Sequence, residues 1–122
     1  MKTVTFFAFC LALSLVLAST ASTETAPEIS DVGICVVEFN AAFNSANSVP
    51  WVENISDCEH QRIDIAAQPE LQKKHKIVVV PTIIVFNDGE EDSRFQANIM
   101  MQMEATEDEV QEAVDEIILN SF

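Results

Sequence analysis

Apolar residues follow two periodicities along this chain. From Ile34 to Phe39 they are nearly continuous, broken by one acid, Glu38. That pattern predicts a strand covered on both faces. Thr82 to Phe86 is a second such run and Ser93 to Ala97 a shorter extended one. Between them Asn87-Asp88-Gly89-Glu90 carries the Asp-Gly pair that favours a tight hairpin. His60 to Ile65 reads as a fourth strand. Helical spacing appears elsewhere. Val49, Val52 and Ile55 fit two turns, with Pro50 at the start of a helix, where its missing N–H does no harm. Pro69 to His75 predicts a short helix with proline first and lysines in its last turn. The best-marked helix closes the chain. Thr106 and Glu109 form a capping box, and Glu107 and Asp108 place acid where the macrodipole favours it. Val110, Ala113, Val114, Ile117 and Ile118 make one apolar stripe.

The order is therefore β-α-β-α-β-β-α. The first two strands can run parallel through a crossover, and the last two are antiparallel. This describes an α/β domain with a mixed four-stranded sheet and helices on both faces. No internal repeat is visible, and 122 residues leave no room for a second domain.

The N-terminus has a different character. Lys2 is followed by an apolar run from Val4 to Ala18 and then by Ser19-Thr20-Ala21-Ser22. A positive start, a short apolar core and small residues predict a secretory signal over residues 1–21, too short for a comfortable membrane span. Residues 22–31, rich in Ser, Thr, Glu and Pro, read as a flexible leader. The domain occupies 32–122. The expected location is secreted or periplasmic.

Charge narrows the partners. Twenty carboxylates face six basic side chains, so nucleic acid and anionic membranes are poor fits, whereas a protein or an extended peptide is not. His60 and His75 lack ligand spacing, and neither a metal nor another cofactor is expected. Asn54-Ile55-Ser56 is an acceptor sequence for N-glycosylation in a eukaryotic secretory pathway.

Joint spacing carries the next step. Arg62-Ile63-Asp64, Pro69-Glu70-Leu71, Val80-Pro81-Thr82 and Asp88-Gly89-Glu90 occur in an order and at separations that resemble the thioredoxin-like superfamily from about residue 34 to 122. The resemblance implies a trimmed thioredoxin fold, since the usual first strand and helix have little room before Val32. It also implies a cis bond before Pro81, with the Val80 backbone offered to a bound peptide, and places Glu38 as the buried acid beneath the active site. One part is missing. The positions of the family's Cys-x-x-Cys pair read Asn44-Ser45-Ala46-Asn47. Thiol–disulfide exchange needs a thiolate there, and amides supply none. Asn44 and Asn47 are left as helix caps or as hydrogen-bonding groups for a partner. Glu38 is left as a retained hydrogen-bonded acid or as a modulator of some other polar site.

Only Cys35 and Cys58 remain in the domain. Both fall near the starts of neighbouring predicted strands, which makes a lateral disulfide one reading, two buried thiols a second and an exchanging pair a third. The functional expectation is a non-covalent protein or peptide binding module without the usual oxidoreductase activity, built on Phe43, Asn44, Asn47, Val80, Pro81 and Thr82, with Trp51 as a further apolar contact. Two rivals stand beside it. One is a thiol–disulfide oxidoreductase using a relocated Cys35/Cys58 pair. The other is a structural subunit that packs against its own copy through Met100 and Met103, a segment otherwise expected to pack between the sheet edge and the last helix.

Overall fold

The computed structural model describes residues 28–122; the expected signal, residues 1–21, and leader residues 22–27 lie outside the described residues. Four strands form one sheet: β1 (Ile34–Asn40), β2 (Glu59–Asp64), β3 (Thr82–Asn87) and β4 (Glu90–Gln96), in spatial order β2-β1-β3-β4. β1 pairs parallel with β2 and antiparallel with β3, and β3 pairs antiparallel with β4. Two α-helices accompany them, α1 (Pro69–Lys74) and α2 (Glu107–Asn120).

Alternation along the two central strands builds two cores. Val36, Ile83 and Val85 face one side, against Val49, Val52 and the α2 residues Val110 and Val114. Cys35, Val37, Phe39, Ile84 and Phe86 face the other, with Ile63, Ile77 and Val80, and Leu71 of α1 packs on that cluster. Period-two geometry turns each near-continuous apolar run into both faces of a covered sheet.

Two local features fix the frame. Asp88 and Gly89 link β3 to β4 with φ of 52° and 85°, the paired left-handed geometry of a type I′ hairpin. From that turn Asp88 accepts the Gly33 N–H through Oδ1 at 2.7 Å and donates its own N–H to the Gly33 carbonyl at 2.8 Å. The hairpin tip thus holds the chain where β1 begins. At the other end, Thr106 Oγ1 accepts the Glu109 N–H at 3.2 Å while Glu109 Oε1 accepts the Thr106 N–H at 2.8 Å. The predicted capping box is present.

The parallel crossover departs from the expected α-helix. It contains two 3-10 helices, Ala42–Asn47 and Pro50–Asn54. The chain must travel back along a strand's length before β2 begins, and few residues are available. A 3-10 helix rises about 2.0 Å per residue against about 1.5 Å for an α-helix, so it covers that distance with fewer residues.

Candidate functional site

The Ala42–Asn47 helix and the loop before β3 meet at the C-terminal end of β1, and three groups of residues converge there. The first is ionic. Glu38 is buried and forms an ion pair with Arg62, the residue directly opposite it in the β1–β2 register. Its carboxylate also accepts from the Val49 N–H at 2.8 Å and from Ser48 Oγ at 3.2 Å. Arg62 donates onward to the Val49 carbonyl at 2.9 Å. A carboxylate without such partners would be too costly to bury. The cleft beside it, about 230 Å³, is lined in part by Ser45, Ser48, Arg62 and Asp64. With its oxygens taken by Ser48, Val49 and Arg62, Glu38 ties the crossover to two strands. Arg62 was the partner that sequence reasoning missed, and a charge opposite Glu38 on the adjacent strand was the signal for it.

The second group is the pair of amides. Asn44 is buried within the first 3-10 helix, and neither 3-10 helix has a side-chain cap. Asn44 Nδ2 reaches the Val80 carbonyl at 3.4 Å, the Met101 carbonyl at 3.2 Å and Asn40 Oδ1 at 3.2 Å. Its Oδ1 accepts from Asn47 Nδ2 at 2.9 Å. The position that the resemblance assigns to a nucleophile is an internal staple joining the crossover, the loop before β3 and the loop after β4. It caps nothing and presents nothing to solvent.

The third group is apolar and open. Phe43, Val78 and Ile99 are 76%, 77% and 97% exposed, and Met100 and Met101 are partly so. With Ile65, Ile77 and Met101 they border a cleft of about 340 Å³. Its floor is the Val78–Val80 backbone, leading into the cis Val80–Pro81 peptide. Among the described residues, the N–H groups of Val78, Val79 and Val80 have no hydrogen-bond acceptor. The Val79 carbonyl is taken by Thr82 Oγ1 at 2.7 Å, and the Val80 carbonyl by Asn44. Val80, Pro81 and Thr82 have buried side chains; of the three only Val80 lines the groove, since the Pro81 carbonyl accepts the Ala97 N–H at 3.1 Å and Thr82 is paired in the sheet opposite Phe39 and Gln96. Ile99 and Met100 are outside the core, unlike the packed segment expected between sheet and helix, and only Met103 packs inward. Trp51 packs against the α2 face, away from this groove.

The cysteines lie elsewhere. Both are free thiols, so the expected disulfide is absent. Parity explains why. Cys35 is opposite Glu59 in the parallel register, so Cys58 is one residue out of step. Cys35 belongs to the core under α1, and Cys58 packs against the core under α2. Burial and the nearby Glu59 raise the Cys35 thiol above its usual range. Burial, then the neighbouring Cys35 and Asp57, push Cys58 up to about 11. Neither carries appreciable thiolate near neutrality. Among the described residues no cluster of metal-ligating side chains occurs, and no helix is long and apolar enough to cross a membrane.

No protein-family model matches this chain, and no curated protein does. Solved structures do. A single-site mutant of the thioredoxin from Halobacterium salinarum NRC-1 superposes with a TM-score of 0.59 at 23% identity, over 71% of this chain and 76% of that one. Thioredoxin 1 from Thermosipho africanus TCF52B gives 0.56 at 20% identity, over 71% and 97%. The thioredoxin of Fasciola hepatica gives 0.52 at 25% identity, over 70% and 83%. The fold is thioredoxin-like. At these identities the likeness establishes the thioredoxin-like architecture and leaves activity to be argued from the site.

Proposed function

We propose that this is an exported thioredoxin-like domain that docks an extended polypeptide non-covalently in the groove between Phe43, the Val78–Val80 backbone and Ile99. One observation carries the reading: three consecutive residues whose backbone N–H groups have no acceptor among the described residues line a cleft whose rim exposes Phe43, Val78 and Ile99. A loop segment with open donors beside exposed apolar side chains suits a peptide in extended conformation, whose carbonyls can take such donors and whose side chains can lie against the apolar rim. Export rests on the apolar run from Val4 to Ala18 and the small residues after it.

A bacteriophage library displaying random dodecapeptides tests this. The wild-type domain is expected to enrich a sequence class that a folded Phe43→Asp, Ile99→Asp variant does not enrich. Identical enrichment by both proteins, or none by the wild type, would remove the docking reading.

Self-association is a second reading, favoured by the exposed Ile99 and Met100. A molar mass that doubles with concentration, and stays monomeric in the same variant, would support it. The relocated thiol pair is weakened on two counts, since Cys35 and Cys58 pack into opposite cores and both thiols are raised.

A further inference from the structure

The groove is lined by uncharged residues on a strongly acidic chain. Formal net charge is −14, yet the groove lining contains no carboxylate. Of the six basic residues Lys2 lies outside the described residues, and the other five are unevenly committed. Arg62 is tied to Glu38 and Arg94 to Glu91. Among the described residues Lys73, Lys74 and Lys76 form no ion pair, although acid outnumbers base more than threefold over the chain.

Two of them, Lys73 and Lys76, are sequence neighbours of residues that line one end of the groove. Gln72 and Ile77 line it, and the Gln72 side chain donates to the Ile77 carbonyl at 3.4 Å. Lys73 follows Gln72, and Lys76 precedes Ile77 with φ of 53°, its N–H donating to the Lys73 carbonyl at 3.2 Å. Gln72 of α1 turns toward the groove, while Leu71, Lys74 and His75 turn toward a separate cleft with Ile29 and Asp31. Lysines in the last turn of a helix complement its dipole. That accounts for Lys73 and Lys74 without accounting for Lys76, which lies beyond α1. The opposite end of the groove is Asn98, whose amide donates to Glu104 at 2.9 Å.

Resting on the docking reading above, we infer that the groove selects an extended peptide whose alternating apolar residues are flanked by carboxylates at the α1 end. Exposed charges act over a Debye length of about 8 Å at physiological salt, so the lysines that adjoin Gln72 and Ile77 act at the α1 end of the groove and Glu104 at the Asn98 end. The apolar pockets supply contact area. The lysines supply direction, because a reversed peptide would bring its carboxylates to Glu104.

The test uses three pools of acetylated, amidated octapeptides that share an alternating Val/Thr body. They differ only in a terminal pair, drawn from Asp/Glu, Asn/Gln or Lys/Arg. Binding to the mature domain is read by fluorescence anisotropy, with the Phe43→Asp, Ile99→Asp variant as the blank. The acidic pool is expected to bind about fivefold more tightly than the neutral one at low salt, as two exposed ion pairs allow. That advantage should vanish near 1 M salt, and Lys73→Glu, Lys76→Glu should transfer the preference to the basic pool. If all pools bind equally above the blank and charge reversal changes nothing, the acid preference is overturned while docking stands. A wild-type preference for the basic pool overturns it too. If no pool exceeds the blank, the docking reading and this inference fall together.

Discussion

Two regions that meet near the C-terminal end of β1 obey opposite rules. Around Glu38 and Asn44 every prominent polar group has found a partner inside the protein: Arg62, Ser48 and Val49 for the carboxylate, and the carbonyls of Val80 and Met101 for the amide. Around Phe43 and Ile99 the side chains are apolar and face water, and the adjoining backbone donors are open. The first region is finished as an interior. The second is unfinished as a surface. The Asn44 position, which the resemblance assigns to a nucleophile, has been closed with hydrogen bonds, and the apolar cleft proposed above as a docking site has been left open. Fold likeness reports neither fact, because both depend on side chains.

The contrast can be broken first at its ionic side. Arg62→Met leaves Glu38 buried without its counter-charge and should destabilise the domain by about 2 kcal/mol, below the usual 3–5 for a buried pair because the guanidinium is partly solvated. Urea unfolding measures this, and Glu38→Gln combined with Arg62→Met should recover most of the loss. A double variant as unstable as the single one would mean that Arg62 acts through packing alone.

Asn44→Ala comes next. It strands the Val80 and Met101 carbonyls and should cost about 1–2 kcal/mol, with faster amide exchange in the 98–103 loop than elsewhere. Uniform exchange would show that Asn44 is no staple.

Acid should loosen the core under α1. His75 lies between Phe39 and Phe86, with ring centroids 5.7 and 5.1 Å away. Burial, then the Lys74 and Arg94 charges, hold it below its ordinary 6.5. The unfolded chain therefore takes the proton first. Stability from this group is present above pH 6.5 and declines as the pH falls toward the lower folded value. The Glu91 carboxyl, held below its ordinary 4.5 chiefly by its hydrogen bond to Arg94, adds a separate loss below that pH. His75→Gln should flatten the first decline and spare the second. A melting temperature flat from pH 7 to 5 in the wild type would contradict the His75 argument.

The smallest change in stability belongs to the open side. Ile99→Ser, at a side chain 97% exposed, should stay within about 0.5 kcal/mol of wild type while reducing peptide capture. A large stability loss would place Ile99 in the core after all.

The sequence disclosed what local rules control. The Asp88-Gly89 turn, the Thr106–Glu109 box and the two-faced strands each follow from a few adjacent residues. What it hid depends on register. Cys35 and Cys58 were placed near neighbouring strand starts, and a single residue of stagger sends them to opposite cores. Arg62 became the partner of Glu38 only once β1 and β2 were aligned. The short crossover hid its 3-10 character, because apolar spacing of three residues fits either helix type. The outward Ile99 and Met100 ran against composition, since apolar residues near a final helix ordinarily pack inward.

The Asn44 amide has one further consequence. Because it joins three segments before any ligand arrives, the conformational freedom of those loops has already been given up during folding. A partner would meet a groove of fixed shape, and little further ordering of the loop would accompany its capture. Association would then be governed by encounter and desolvation, and differences among ligands would appear mainly in how long each one stays.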